Sequence, residues 1–112
     1  MENPLLVFVT VPSQKEGERI GKKLVEQKLA ACVNIIPHLY SIFSWQGKIT
    51  EVDEILLLIK TMPDRFETLK QKIKKIHSYD VPEIIALPVV AGDRNYFEWV
   101  YESTRPNEPL TV

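Results

Sequence analysis

A histidine and a glutamate lie close together in "HSYDVPEII", residues 77–85. His77 is one of two histidines in the chain, and Glu83 directly follows Pro82. An imidazole and a carboxylate could share one divalent cation. Two ligands are too few for a tight site, because structural zinc takes four protein ligands and catalytic zinc three. The pair therefore predicts weak binding, with a third ligand from a neighbouring subunit.

His77 has a second interpretation, in which it only ends a helix. The preceding residues place Phe66, Leu69, Ile73 and Ile76 on one apolar stripe, which indicates a helix that closes near His77. A histidine at such a terminus can hydrogen-bond the free carbonyl groups of the last turn. The four lysines between residues 70 and 75 also disfavour a bound cation.

Glu54 and Lys60 are six residues apart in a predicted strand, so alternation puts both side chains on one face. One interpretation places them with Tyr79 in a cleft between subunits, where Lys60 would be the charge partner of a small anionic metabolite. The other makes each a surface residue that forms an ion pair at a sheet end. Cys32 lies within "AACVNI", where a buried, inert thiol is a better interpretation than a nucleophile.

Composition excludes several classes of function. Lys+Arg 14 against Asp+Glu 15 gives a net charge of −1, so the basic excess that usually accompanies nucleic-acid binding is missing. One cysteine cannot form an internal disulfide, which predicts a reducing, cytoplasmic setting. The opening "MENPLLVFVTVP" predicts neither a signal peptide nor a membrane span. No CxxC, GxGxxG or P-loop motif is present, so no motif for binding a soft metal or a phosphate is found and we expect no required cofactor.

The pattern of apolar residues predicts one domain, residues 1–104, followed by a tail, 105–112. The predicted elements are a strand (5–11), a helix (14–29), two strands (30–46 and 48–62), a helix from Pro63, a strand (83–92) and a helix (94–103). Ser13 and Glu16 have the spacing of a capping box at the start of the first helix. Gln46-Gly47 predicts a tight hairpin turn.

This order predicts an α+β, ferredoxin-like βαββαβ fold with an antiparallel sheet. Right-handed crossovers give the strand order 4-1-3-2. Prolines in strands belong at sheet edges, and Pro37 and Pro88 fall in the two predicted edge strands. The longest apolar runs, "LLVFV" and "ILLLI", fall in the two central ones.

The predicted hairpin is longer than the helices that could cover it. About 14 residues per strand extend more than about 40 Å, whereas a 16-residue helix extends only about 24 Å. The outer half carries Tyr40, Phe43 and Trp45, an apolar surface too large to leave in water. We therefore expect these three residues to lie in an interface between subunits.

Five segments in order resemble the CutA family of divalent-cation tolerance proteins. They are "EQKLAACVNIIP" (26–37), Trp45-x-Gly47-Lys48-Ile49, "LLIKT" (57–61), "HSYDVPEIIALPV" (77–89) and "YFEWV" (96–100). The resemblance implies a ferredoxin-like protomer, a homotrimer built through the long hairpin, a cytoplasmic setting and no catalytic reaction. It also implies a link to tolerance of copper and other divalent metals, and an architecture similar to the PII signalling trimers.

The resemblance is uneven at one proposed copper site. In some members copper is assigned to a cysteine late in the first strand and to two adjacent histidines at the end of the second helix. The matching positions here hold Val9, Ile76 and His77. The resemblance therefore implies a homotrimer that binds divalent cations weakly. A metabolite-binding sensor and a structural trimer without a ligand remain alternatives.

Overall fold

The structure is a computed structural model and describes residues 2–106. Its elements are β1 (Leu5–Val11), α1 (Gln14–Glu26), β2 (Cys32–Trp45), β3 (Lys48–Thr61), α2 (Phe66–Ile76), β4 (Ile84–Pro88) and α3 (Arg94–Ser103). A 3-10 turn, Pro63–Arg65, precedes α2. The predicted tail lies outside the described residues from position 107 onward.

The four strands form one antiparallel sheet in the order β2-β3-β1-β4. This is the predicted order read from the opposite edge, so the ferredoxin-like α+β fold is confirmed. Pro37 and Pro88 lie in the edge strands, as expected. Gln46 and Gly47 both have positive φ, 50° and 79°, which is the geometry of the predicted tight turn.

Two predicted boundaries were wrong by three or more residues. Helix α1 ends at Glu26 rather than residue 29, because Lys28 adopts a left-handed φ of 58°. Pro63 takes the first helical position as predicted, with Met62 as the N-cap, but the first turn is a 3-10 turn and the α-helix follows from Phe66. Strand β4 ends at Pro88 rather than residue 92, because Pro88 pairs with Leu5, the first residue of the neighbouring strand β1.

Helices α1 and α2 cover one face of the sheet and enclose the main core. Fully buried core residues include Val7, Val9, Val11, Ile20, Leu24, Leu57, Ile59, Leu69 and Ile73. Helix α1 approaches the sheet closely because Gly17 and Gly21 have no side chain. A Cβ at Gly17 would lie 3.2 Å from Leu57 Cδ2, and one at Gly21 would lie 3.3 Å from Val33 Cγ1.

The opposite face of the sheet is largely apolar and only partly covered by the described residues. Ile36, Ile85 and Leu87 are 40%, 51% and 49% exposed. The outer hairpin is also open, with Trp45 and Ile49 45% and 75% exposed. No helix within residues 2–106 is both long and apolar enough to cross a membrane.

Candidate functional site

A groove of about 690 Å³ lies between the outer half of the β2–β3 hairpin and the loop 78–83. Phe43, Trp45 and Val52 line it from the hairpin, and Val81 lines it from the loop. Its polar lining includes Thr10 and Glu54 in the sheet and Tyr79, Asp80 and Glu83 from the other side. The volume is in the range of small-molecule sites, and apolar walls with a few converging polar groups are typical of them.

Glu54 is the carboxylate that the fold encloses most, at 6% exposure. It pairs with Leu39 immediately after a bulge between Ile36 and Leu39, where His38 adopts a φ of 65°. The Tyr79 hydroxyl donates a hydrogen bond of 2.9 Å to Glu54 Oε2. Burial and this bond to Glu54 raise the pKa of Tyr79 to about 12. At neutral pH Tyr79 therefore keeps its proton and acts as a donor.

His77 is the residue that holds the loop in place. It is the C-cap residue of α2 and its side chain is fully buried. The Tyr79 backbone N–H donates to His77 Nδ1 at 2.9 Å. Nδ1 therefore has no proton in the neutral ring, and Nε2–H donates to the Thr10 carbonyl at 2.7 Å. Both ring nitrogens are occupied within the protein.

A second contact ties the same loop to α1. Glu16 Oε2 accepts hydrogen bonds from Ser78 N–H at 3.0 Å and from Ser78 Oγ at 2.9 Å. The predicted capping box is therefore only half formed. Ser13 Oγ accepts from Glu16 N–H at 3.2 Å, but the Glu16 carboxylate binds Ser78 rather than returning to the cap. Tertiary contact with the loop has replaced the local interaction.

Thr10 was not identified from the sequence. It is 6% exposed and lines the groove. Thr10 pairs with Leu56, so it is a diagonal neighbour of Glu54 on the same face of the sheet, at roughly 7 Å. Strand alternation could have placed Thr10 and Glu54 on one face. The loop that forms the opposite wall could not be derived from sequence pattern.

The predicted ligands His77 and Glu83 have different surroundings in the structure. Glu83 lines the groove, whereas His77 does not and is buried against Thr10 and Tyr79. Within residues 2–106, no group of three or more histidine, cysteine, aspartate or glutamate side chains is arranged to hold a metal ion. A tight metal site is therefore not assembled within the described part of one chain.

The structure also separates Lys60 from the other two predicted cleft residues. Glu54 and Tyr79 are in contact, but Lys60 lies six positions further along β3, roughly 20 Å away at strand spacing. The Lys60 ammonium donates to Asn34 Oδ1 and lies 3.9 Å from Cys32 Sγ. Lys60 does not line the groove.

The three residues predicted for a subunit interface occupy two faces of the hairpin. Phe43 and Trp45 line the groove, and strand alternation puts Tyr40 on the opposite face. There, a hydrogen bond with Glu51, partial burial and the charge of Asp53 raise the pKa of Tyr40. All three are exposed in the single chain.

These features define a ferredoxin-like protomer with a long, uncovered hairpin and an acidic groove. A family described as "CutA1 divalent ion tolerance protein" matches residues 5–103. The Thermus thermophilus divalent-cation tolerance protein CutA is 50% identical over 99 residues, which are 88% of this chain and 96% of that protein. The chain therefore belongs to the CutA1 divalent ion tolerance family, as the motifs predicted.

Other comparisons agree on the family and differ in length. The chloroplastic protein CutA of Arabidopsis thaliana is 45% identical over 101 residues, which are 90% of this chain but 56% of that protein. A solved structure of the Thermus thermophilus protein matches with a TM-score of 0.89 and 49% identity, covering 91% of this chain and 99% of that one. The relatives therefore share this domain, and some extend beyond it.

Proposed function

We propose that this protein binds divalent cations weakly in the groove and acts in the cellular response to such metals. The observation that carries the proposal is the charge of the groove, which is lined by the carboxylates of Glu54, Asp80 and Glu83 and by no lysine or arginine. A concave surface with charges of one sign raises the local concentration of the opposite ion. No catalytic reaction is part of this proposal.

Weak binding follows from the ligands available in one chain. Carboxylates alone leave most of the coordination shell to water or to a neighbouring subunit. Among divalent first-row metals, copper binds a given oxygen and nitrogen site most tightly, so we expect copper to bind best. The predicted role of His77 as a ligand would require its ring to give up the bond to Thr10 or to Tyr79. Glu83 needs no such rearrangement.

The protein is further proposed to be a cytoplasmic homotrimer. The exposed apolar sheet face and hairpin support assembly, because such surface is rarely left in water. The free Cys32 fits a reducing compartment. The alternative of an anionic metabolite loses support because Lys60 lies outside the groove. Any positive charge there would have to come from another subunit.

Calorimetric titration with copper tests the proposal. We expect Glu83→Gln to weaken binding about fivefold, equivalent to about 1 kcal/mol, because a charged ligand becomes neutral. Glu51→Gln is the matched control, because Glu51 is on the hairpin but does not line the groove. Equal affinity of the wild type and both variants, or no binding by the wild type, would contradict the proposal and favour a structural trimer. Selective loss in His77→Ala would restore His77 as a ligand.

A further inference from the structure

We propose that the helix layer of this protein, α1 and α2, is a docking surface for a partner protein and binds an extended acidic segment of it. The surface consists of Arg19 and Lys23 in α1 and of Lys72 and Lys75 in α2, which we call the basic seam. The seam lies outside the groove, so this proposal does not depend on metal binding.

Charge is distributed unevenly over the protein. Helices α1 and α2 together carry eight basic and four acidic side chains, whereas the rest of the chain carries six basic and eleven acidic ones. The net charge of −1 therefore combines a positive helix layer with a negative remainder. A surface with charges of one sign attracts a partner of the opposite charge and accelerates its association.

A contact between the two helices brings the four basic residues together. Arg19 Nη1 in α1 donates to the Ile76 carbonyl at the end of α2, at 3.2 Å. The helices are antiparallel, because each connects two parallel strands and the two pairs of strands run in opposite directions. Lys23, one turn beyond Arg19, therefore faces Lys72, one turn before Ile76. Lys75 is three residues after Lys72 and lies on the same side of α2.

The acidic side chains of the two helices are directed elsewhere. Glu16 accepts two hydrogen bonds from the loop after α2, and Glu67 pairs with Lys70 at 2.9 Å. Glu18 and Glu26 line the other side of α1, next to the edge strand β2. Within residues 2–106, no ion pair includes a residue of the seam. The positive charge of the seam is therefore available to a partner.

The spacing of the charges fits an extended peptide. Arg19 and Lys23 are one turn apart, about 6 Å along α1. Alternate side chains of an extended chain point to one side and are about 6.6 Å apart, so carboxylates at alternate positions match this row. A long polyanion such as a nucleic acid would also meet the negative remainder of the chain, which favours a short acidic segment.

The proposed assembly leaves the seam accessible. The hairpin and the exposed apolar face of the sheet are the surfaces that we expect between subunits, and α1 and α2 cover the opposite face of the sheet. Each subunit of a trimer would therefore present its own seam to the solvent.

Fluorescence anisotropy with a labelled octapeptide of alternating glutamate and threonine tests the proposal on the assembled full chain in metal-free buffer. The analogue with glutamine in place of glutamate is the neutral control. We expect the neutral peptide to bind at least about tenfold more weakly. The affinity of the acidic peptide should fall as salt rises from about 20 mM to about 200 mM, because exposed charges are screened.

Two double variants with the same net charge locate the binding surface. Lys23→Gln combined with Lys72→Gln should weaken binding about fivefold, through loss of two exposed ion pairs. Lys22→Gln combined with Lys74→Gln is the matched control and should bind as the wild type does. Lys22 lines the β2 side of α1, and Lys74 is two residues from Lys72, so the two do not share a side of α2.

Equal loss of affinity in the two double variants would indicate unspecific attraction and overturn the proposal. Equal binding of the two peptides, or no binding at about 20 mM salt, would also overturn it. Tighter binding of anionic vesicles or of a single-stranded oligonucleotide than of the peptide, dependent on the same two lysines, would reject the acidic segment as the partner. Copper titration should be the same in all these variants, so failure of one proposal leaves the other standing.

Discussion

Single residues connect the helix layer of this protein to its groove. His77 binds the Thr10 carbonyl with one nitrogen and the Tyr79 backbone with the other, and the Tyr79 hydroxyl binds Glu54. These contacts run from β1 through the end of α2 to β3. In the fold, both ring nitrogens of His77 bind backbone groups, and one of these contacts positions Tyr79.

Replacing His77 should therefore cost stability. His77→Ala leaves the buried Thr10 carbonyl and the Tyr79 N–H without partners and opens a cavity, so we expect a loss of about 2–4 kcal/mol. Urea unfolding monitored by circular dichroism measures it. Lys75→Ala, an exposed change in the last turn of α2, is the control and should change stability by less than about 0.5 kcal/mol. A similarly small effect in His77→Ala would contradict the structural role.

The ionisation of Tyr79 offers a second residue-scale prediction. Its folded pKa of about 12 lies above the unfolded value of about 10. The stabilisation linked to this group is therefore complete below pH 10 and is lost as pH rises through the folded pKa. Absorbance titration of tyrosinate should show one group near pH 12 that disappears in Tyr79→Phe. In Glu54→Gln that group should titrate at lower pH, and an unchanged titration would contradict the contact with Glu54.

At the scale of elements, α1 is followed by a residue in a backbone conformation that is unfavourable for any side chain with a Cβ. Lys28 adopts a φ of 58° just after the helix, while Leu29 N–H and Ala30 N–H donate to the Leu24 carbonyl. Glycine is preferred at this position because it has no Cβ to clash. We expect Lys28→Gly to stabilise the fold by about 0.5–1 kcal/mol.

The matched control is Lys22→Gly in the middle of the same helix. Lys22→Gly should destabilise the fold by about 1 kcal/mol, because glycine in a helix interior loses more conformational entropy on folding and relieves no backbone strain at this position. Thermal and urea unfolding measure the change in stability of each variant, which we expect to be positive for Lys28→Gly and negative for Lys22→Gly. Destabilisation by Lys28→Gly would show that the lysine side chain makes a contribution larger than the backbone strain.

The elements that the sequence predicted best are those with a long, regular pattern. The order of the elements and the rule of right-handed crossovers predicted the strand order, and the edge prolines and central apolar runs agreed with it. The end of α1 was misplaced because a lysine occupies the position where glycine is the usual signal. The groove was only partly predictable, because alternation places Glu54 on its face, whereas the contacts of Tyr79, His77 and Ser78 depend on a loop that folds back across the sheet. Lys60 lies on the same face of the sheet as Glu54 but roughly 20 Å away along β3.

At the scale of the whole molecule, the long hairpin determines the shape. The described chain measures 56 × 32 × 23 Å, and exposed apolar side chains continue to the hairpin tip. The edge strands β2 and β4 also present free backbone groups that another chain could pair with. We expect sedimentation at micromolar concentration to give a mass of about three times 12.9 kDa. A stable monomer would reject the trimer.

Replacing Trp45 tests whether the hairpin forms the interface between subunits. In the single chain its side chain is 45% exposed, so truncation there should change stability by less than about 0.5 kcal/mol if the protein is a monomer. If another subunit buries the indole, Trp45→Ala should cost about 3–5 kcal/mol per site, as for a large aromatic in a core. The loss should appear as a lower melting temperature that depends on protein concentration, since dissociation and unfolding are then linked. Val90→Ala, at a site 86% exposed and outside the hairpin, should leave both mass and melting unchanged. A Trp45→Ala protein with wild-type mass and melting would place the interface elsewhere on the exposed sheet face.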